Sequence, residues 1–71
     1  MKLNKIANDG NVVSAEIEGL HGKYAIILFL DKKQFYCSCV GYKTHKKACK
    51  HIKYFFNYLN LNNVEEWKSI D

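Results

Sequence analysis

The residues of this chain best equipped for chemistry fall in two short groups, Cys37-Ser38-Cys39 and Cys49-Lys50-His51. In each, one residue separates two side chains of metal-ligating type, and nine residues lie between the groups. Zinc takes four N or S ligands in a tetrahedron, with Zn–S near ~2.3 Å and Zn–N near ~2.0–2.1 Å. On a strand, Cys37 and Cys39 point to one face and Ser38 to the other, so this spacing supplies two adjacent corners. In a regular helix, positions two apart diverge by about 200° around the axis. Cys49 must therefore stand just before a helix, or in its frayed first turn, with His51 near the helix start. The positive end of such a helix also favours thiolates. The spacing thus predicts one structural Zn²⁺ held by Cys37, Cys39, Cys49 and His51. His45 is the rival for the fourth corner, and His21 lies on a more distant turn. The plainer alternative makes the cysteines small buried apolar residues and His51 an ordinary surface residue.

Other readings of the thiols are weaker. Three cysteines cannot all pair with one another, and Cys37 and Cys39 are too close for good bridge geometry. Reduced thiols point to metal binding in a reducing, intracellular compartment, in cytoplasm, nucleoid or nucleus. Met1-Lys2-Leu3-Asn4-Lys5 lacks the apolar core of a signal peptide. The longest apolar run, Tyr24 to Leu30, has the length of a strand rather than the ~18 residues of a membrane span. Catalytic zinc keeps an open position, whereas four ligands, three of them thiolates, close this one. No Glu stands beside the motif to move protons, as zinc deaminases require. A cysteine nucleophile paired with His51 or His45 would need a thiolate that zinc claims. The expectation is a non-enzymatic protein with no catalytic residue and no small-molecule substrate.

These ligands must be positioned by a very small domain. With 71 residues there is room for one unit, residues 1–71, which buries only ~60% of the surface of its unfolded chain. Chains this short often rely on a metal, a disulfide or oligomerisation. After a leader closed by Gly10-Asn11, alternation of Val13, Ala15 and Ile17 with Ser14, Glu16 and Glu18 predicts a strand over about 12–18. Turns at 19–22 and 31–34 bound further strands over about 23–31 and 34–39, and short connections favour an antiparallel meander. Ile52, Phe55, Phe56 and Leu59, at i, i+3, i+4 and i+7, predict a helix over about 49–60 with one apolar stripe. Asn63-Val64-Glu65-Glu66 has the pattern of a helix start, predicting a short C-terminal helix over about 63–70 anchored by Val64, Trp67 and Ile70. The fold class is α+β: a small zinc-stabilised three-stranded antiparallel meander followed by two helices. The central strand is apolar on both faces, so one face needs the C-terminal helix, the leader Leu3–Ile6 or a second copy of the chain to cover it.

At this point the motif resembles a known family. Cys37-x-Cys39, nine residues, then Cys49-x-His51 is similar to the SWIM zinc finger, whose pattern is C-x-C, a variable gap, then C-x-H. The context agrees: an apolar strand before the first pair and a helix rich in Ile and Phe after the second. The likeness spans residues 24–59. Ala48 stands where many members have proline, which affects the loop rather than ligation. Members sit inside helicase-like ATPases, transposases, recombination factors and ubiquitin ligases, and none of those activities carries over. The resemblance implies DNA binding or protein–protein contact.

Charge bears on that choice. The formal net charge is +4, every basic residue is lysine, and no acid lies between Lys32 and Lys53. A basic block between acidic ends suggests a surface that meets phosphate. Without arginine, bidentate base reading is weak and lysine acts as a point charge. Lys43, Lys46 and Lys47 lie in the expected loop, while Lys50, Lys53, Tyr54 and Asn57 centre on the outward face of the helix. In this reading lysines contact DNA phosphate, Tyr54 stacks or donates, and Asn57 reads adenine. The alternative is an adaptor module that uses its apolar and aromatic surface for a protein partner or homodimer, with the lysines as a solvated face.

Overall fold

Alternating side chains in the first half of the chain build consecutive antiparallel strands, seen in a computed structural model that describes residues 1–70. Strands β1 (Lys2–Asp9), β2 (Val12–Gly19), β3 (Gly22–Phe29) and β4 (Gln34–Cys37) pair antiparallel in chain order. Helices α1 (Val40–His45) and α2 (Lys50–Tyr58) follow, then a 3-10 turn (Val64–Glu66) and strand β5 (Lys68–Ser69), which pairs parallel with β4. The α+β expectation and the order of the meander hold.

The inner face of the sheet carries Val13, Ala15, Ile17, Ile26, Leu28 and Phe35, all buried. Helix α2 lays Ile52, Phe55 and Phe56 into the same buried cluster, with Leu59 packed at its margin, which is the apolar stripe its spacing requires. Burying each such side chain is worth about 1.5–3 kcal/mol, so this seam supplies much of the cohesion of so small a core.

Three elements differ from the sequence expectation. The leader is not loose chain but a full edge strand. Its alternation is hidden by a bulge: Asn4 pairs with Glu16 and Ala7 with Ser14, so Lys5 and Ile6 together oppose Ala15. Lys5 takes a positive φ of 52° there, and the extra residue shifts the phase of the strand. A two-residue turn joins β1 to β2, with Gly10 at φ 66°, a conformation glycine adopts without steric cost. Next, the segment expected to be loop between the ligand pairs contains α1. Last, the C-terminal helix expected over 63–70 is only one 3-10 turn. Asn63 precedes it in a left-handed conformation (φ 61°) and makes no side-chain cap, so the turn is not propagated and the chain extends into β5. Val64 and Trp67 still pack against the core, Trp67 edge-to-face with Phe56 at 4.9 Å.

These differences leave the outer face of β3 without the predicted cover. The leader lies along one edge of the sheet and the C-terminal segment along the other. Ile27 and Phe29 are only half-buried, flanked in register by Ser14 and Tyr36 and by Val12 and Gln34.

Tyr42 ties α1 to both neighbouring segments. It is 1% exposed, and its hydroxyl lies 3.1 Å from the Phe35 carbonyl and 3.2 Å from that of Ile70. The Ile70 amide donates to the Phe35 carbonyl as well. We expect Tyr42→Phe to cost about 1–2 kcal/mol, the order of a buried hydrogen bond lost with a carbonyl left less satisfied. Amide exchange at Ile70 should accelerate more than exchange in β2. Equal protection in variant and parent would contradict this role for the hydroxyl.

Candidate metal centre

Three chain junctions meet at one point. Cys37 ends β4, Cys39 is the N-cap of α1, Cys49 is the N-cap of α2, and His51 lies in the first turn of α2. The extended backbone at Cys39 (φ −78°, ψ 161°) and Cys49 (φ −83°, ψ 173°) resolves the divergence that a helical C-x-H would impose. Cys49 stands outside the helix and His51 inside it. Ser38 points away from the thiols, donating its amide to the Ala25 carbonyl at 3.0 Å and accepting the Ala25 amide on Oγ at 2.9 Å. That exchange extends the pairing of β3 beyond the end of β4, so Cys37 and Cys39 are held on one face.

The four ligand-type atoms all lie within 4.8 Å of one another. His51 Nδ1 is 3.9 Å from Cys37 Sγ and 3.7 Å from Cys49 Sγ. The edge of a zinc tetrahedron built with ordinary bond lengths is about 3.5–3.8 Å. Donor set and spacing therefore suit one metal ion, and three sulfurs with one imidazole make zinc the chemically apt one. His45 and His21 are exposed and stand outside this group, so His51 is the histidine placed at the fourth corner. Its ring packs against Tyr24 with centroids 4.7 Å apart. A Cβ at Gly19 would lie 3.8 Å from His51 Nε2, so the β2–β3 turn backs the ring while Nδ1 faces the thiols.

Electrostatics favours negative charge here. The Tyr42 amide donates to Cys39 Sγ at 3.4 Å, and both Cys39 and Cys49 stand at helix N-termini, where positive partial charge steadies thiolates. The hydrogen bond with Cys37 lowers the Cys49 thiol to about 4; burial opposes this and the Ile52 backbone N–H assists. The same hydrogen bond with Cys49 pushes Cys37 far upward, with burial adding to it. Cys37 is thus the thiol favoured to keep its proton and Cys49 the one favoured to lose it, and a metal that takes both as thiolates must displace that proton.

Every predicted lysine on the loop and helix is exposed: Lys43 on α1, Lys46 and Lys47 between the helices, Lys50 and Lys53 on α2. Lys46, Lys47 and Lys53 line a cleft facing the C-terminal segment. Lys47 also shares a hollow beside Cys39 with Lys50, and Lys50 borders another beside His51. Asn57 sits on the Lys53 side. Tyr54 leans the other way, its hydroxyl donating to the Met1 carbonyl at 3.3 Å. Lys68 and Trp67 join the cleft and were not among the predicted contact residues. The proximity of Lys68 to aromatic Trp67 was the available signal, but a helix over 63–70 would have assigned Trp67 to the core alone. Lys46 adopts φ 56° as the C-cap of α1, its amide bonded to the Tyr42 carbonyl.

Comparison of the chain with protein-family models, curated proteins and solved structures finds no match, so the zinc-finger likeness rests on the motif residues and their surroundings.

We expect one equivalent of zinc per chain, bound with release of at least one proton near neutral pH, because Cys37 holds its proton there until metal arrives. Affinity should fall as pH falls, since protons compete for the same sulfurs. Calorimetry in buffers of different ionisation enthalpy reads the proton count, and a pH-independent affinity is the contrary result. Cys49→Ala should weaken zinc beyond the ~10–100-fold typical of outer-shell changes, while His45→Ala should leave it unchanged.

Proposed function

We propose that this chain is a SWIM-type zinc domain that binds DNA through its lysine-rich loop and helix face, with zinc in a structural role and no enzymatic activity. The observation that carries this reading is the exposure of Lys43, Lys46, Lys47, Lys50 and Lys53 on α1, α2 and their connection, the segments whose starts bear Cys39 and Cys49. Zinc fixes the angle between sheet and helix, and the fixed loop presents point charges to phosphate. In this reading Asn57, which lies beside Lys53, reaches a base edge, and Tyr54 supports the opposite flank. The architecture suits a small regulatory or architectural protein. Among the described residues no helix is long and apolar enough to cross a membrane.

Apparent zinc affinities at structural sites, on the order of 10–16 kcal/mol, exceed the ~5–15 kcal/mol stability of a typical domain. We therefore expect a strong chelator to disorder α2 and β4; an unchanged circular dichroism spectrum and melting point after zinc loss would refute a structural role. For DNA, neutralising ~3–5 phosphates of a duplex predicts a log K against log salt slope near −0.9 per phosphate. Replacing Lys47, Lys50 and Lys53 with Gln and Lys46 with Gly should abolish binding and leave zinc content intact. Glycine is chosen at 46 because it tolerates the left-handed backbone. Undiminished binding by that variant in a gel shift would sink the assignment.

A second reading has its own observation. Val12, Ile27 and Phe29 share the outer sheet face and remain half-exposed, which suits an adaptor that meets a protein or a second copy of itself. Sedimentation of the zinc-loaded chain tests the second-copy form of this reading: a concentration-independent monomer argues against the homodimer.

A further inference from the structure

The cleft between the α1–α2 connection and the C-terminal strand has a volume of about 720 Å³, within the ~300–1,000 Å³ of ligand-sized pockets. Four lysines line it, namely Lys46, Lys47, Lys53 and Lys68, together with the half-buried indole of Trp67. Its one acidic lining residue is Glu65. The neighbouring Glu66 is engaged with Lys33 at 3.5 Å. Phe35 and Val64 add apolar floor. Cations around a half-buried aromatic side chain match a ligand that is itself an aromatic group bearing anions.

We propose that this cleft takes an unpaired nucleotide of a single-stranded nucleic acid, the base stacking on Trp67 and the flanking phosphates lying along the lysines. The proposal rests on the nucleic-acid reading above and names the form of nucleic acid bound. Paired bases in a duplex are already stacked on one another and offer no free face to a side chain. An unpaired base does, and every base has one, so recognition is tolerant of sequence. Lysine suits this role because phosphate on a flexible strand needs charge nearby rather than a planar fork. The walls also come from separate elements. Lys46 and Lys47 lie just before Cys49 and Lys53 one turn after it on α2, and the wall carrying Lys68 is held by pairing with Gln34 on the strand that ends at Cys37. The cleft thus depends on the metal centre for its shape.

Trp67 is the only tryptophan in the chain, so its fluorescence reports from the cleft itself. The test titrates the full, zinc-loaded protein with a short oligothymidylate, an abasic oligonucleotide of equal length, a hairpin duplex and polyglutamate. The expected result is quenching by oligothymidylate, with affinity about 5- to 150-fold above the abasic strand, the span of one base–aromatic stack. Trp67→Leu, followed instead by the fluorescence anisotropy of dye-labelled strands, should erase that difference while still binding the abasic strand. Lys68→Gln, a surface change that leaves the Trp67 packing in place, should weaken both strands alike. Equal affinity of the parent protein for abasic and base-bearing strands, preference for the duplex, or equal quenching by polyglutamate would each overturn the cleft proposal while sparing a basic contact surface. Failure to bind any nucleic acid would overturn the proposed function as well.

Discussion

The meeting of three sulfurs and an imidazole is the contact on which the rest of the molecule depends. It joins the end of β4 to the starts of both helices, so the sheet, α1 and α2 share one fixed point. In a chain this short the apolar seam between α2 and the sheet is marginal by itself. A tetrahedral metal would hold Cys37, Cys39, Cys49 and His51 together, and their ligand atoms already lie within 4.8 Å of one another. Each helix N-terminus would then face a thiolate, so the local charge would assist the fold rather than oppose it.

A second junction is built outward from this one. β4 carries Cys37 toward the metal centre and, earlier along the same strand, pairs in parallel with β5. Tyr42, buried just beyond the Cys39 cap, reaches the Phe35 and Ile70 carbonyls. Through these bonds the C-terminal return is attached to the element that the metal would anchor. Trp67 and Lys68 consequently stand opposite Lys46, Lys47 and Lys53. In the functional reading proposed above, zinc does no chemistry; it sets the distance between two walls of a basic, aromatic-lined cleft. The uncovered outer face of β3 is a separate property of the sheet, produced because both flanking segments were used as edges.

Much of this was legible in the residues. The paired one-residue spacings specify ligands because strand geometry puts Cys37 and Cys39 on one side, and because helix geometry excludes Cys49 from the helix that holds His51. Alternation in β2 and the stripe Ile52, Phe55, Phe56 and Leu59 specify burial because periods of 2 and 3.6 each put apolar groups on one face. What escaped had a local signal contradicted by a distant one. In β1 the bulge at Lys5 and Ile6 breaks the period on which a strand is recognised. After Asn63, a good helix-start pattern lost to an extended chain that could pair with β4 and place Trp67 against Phe56.

The sequence by itself therefore determined the three sulfur donors, the order of the meander and the core face of α2, since each depends on spacing within a few residues. Only the tertiary structure decided that His51 rather than His45 completes the group, that residues Lys2–Asp9 are an edge strand, and that Lys46 and Lys53 face one cleft and Lys50 others, with Lys47 bordering both. It also decided that Lys68 and Trp67 belong beside Lys53. Those outcomes depend on which backbone segments pair across the chain, and the period of a segment marks the face it buries but not the partner it meets.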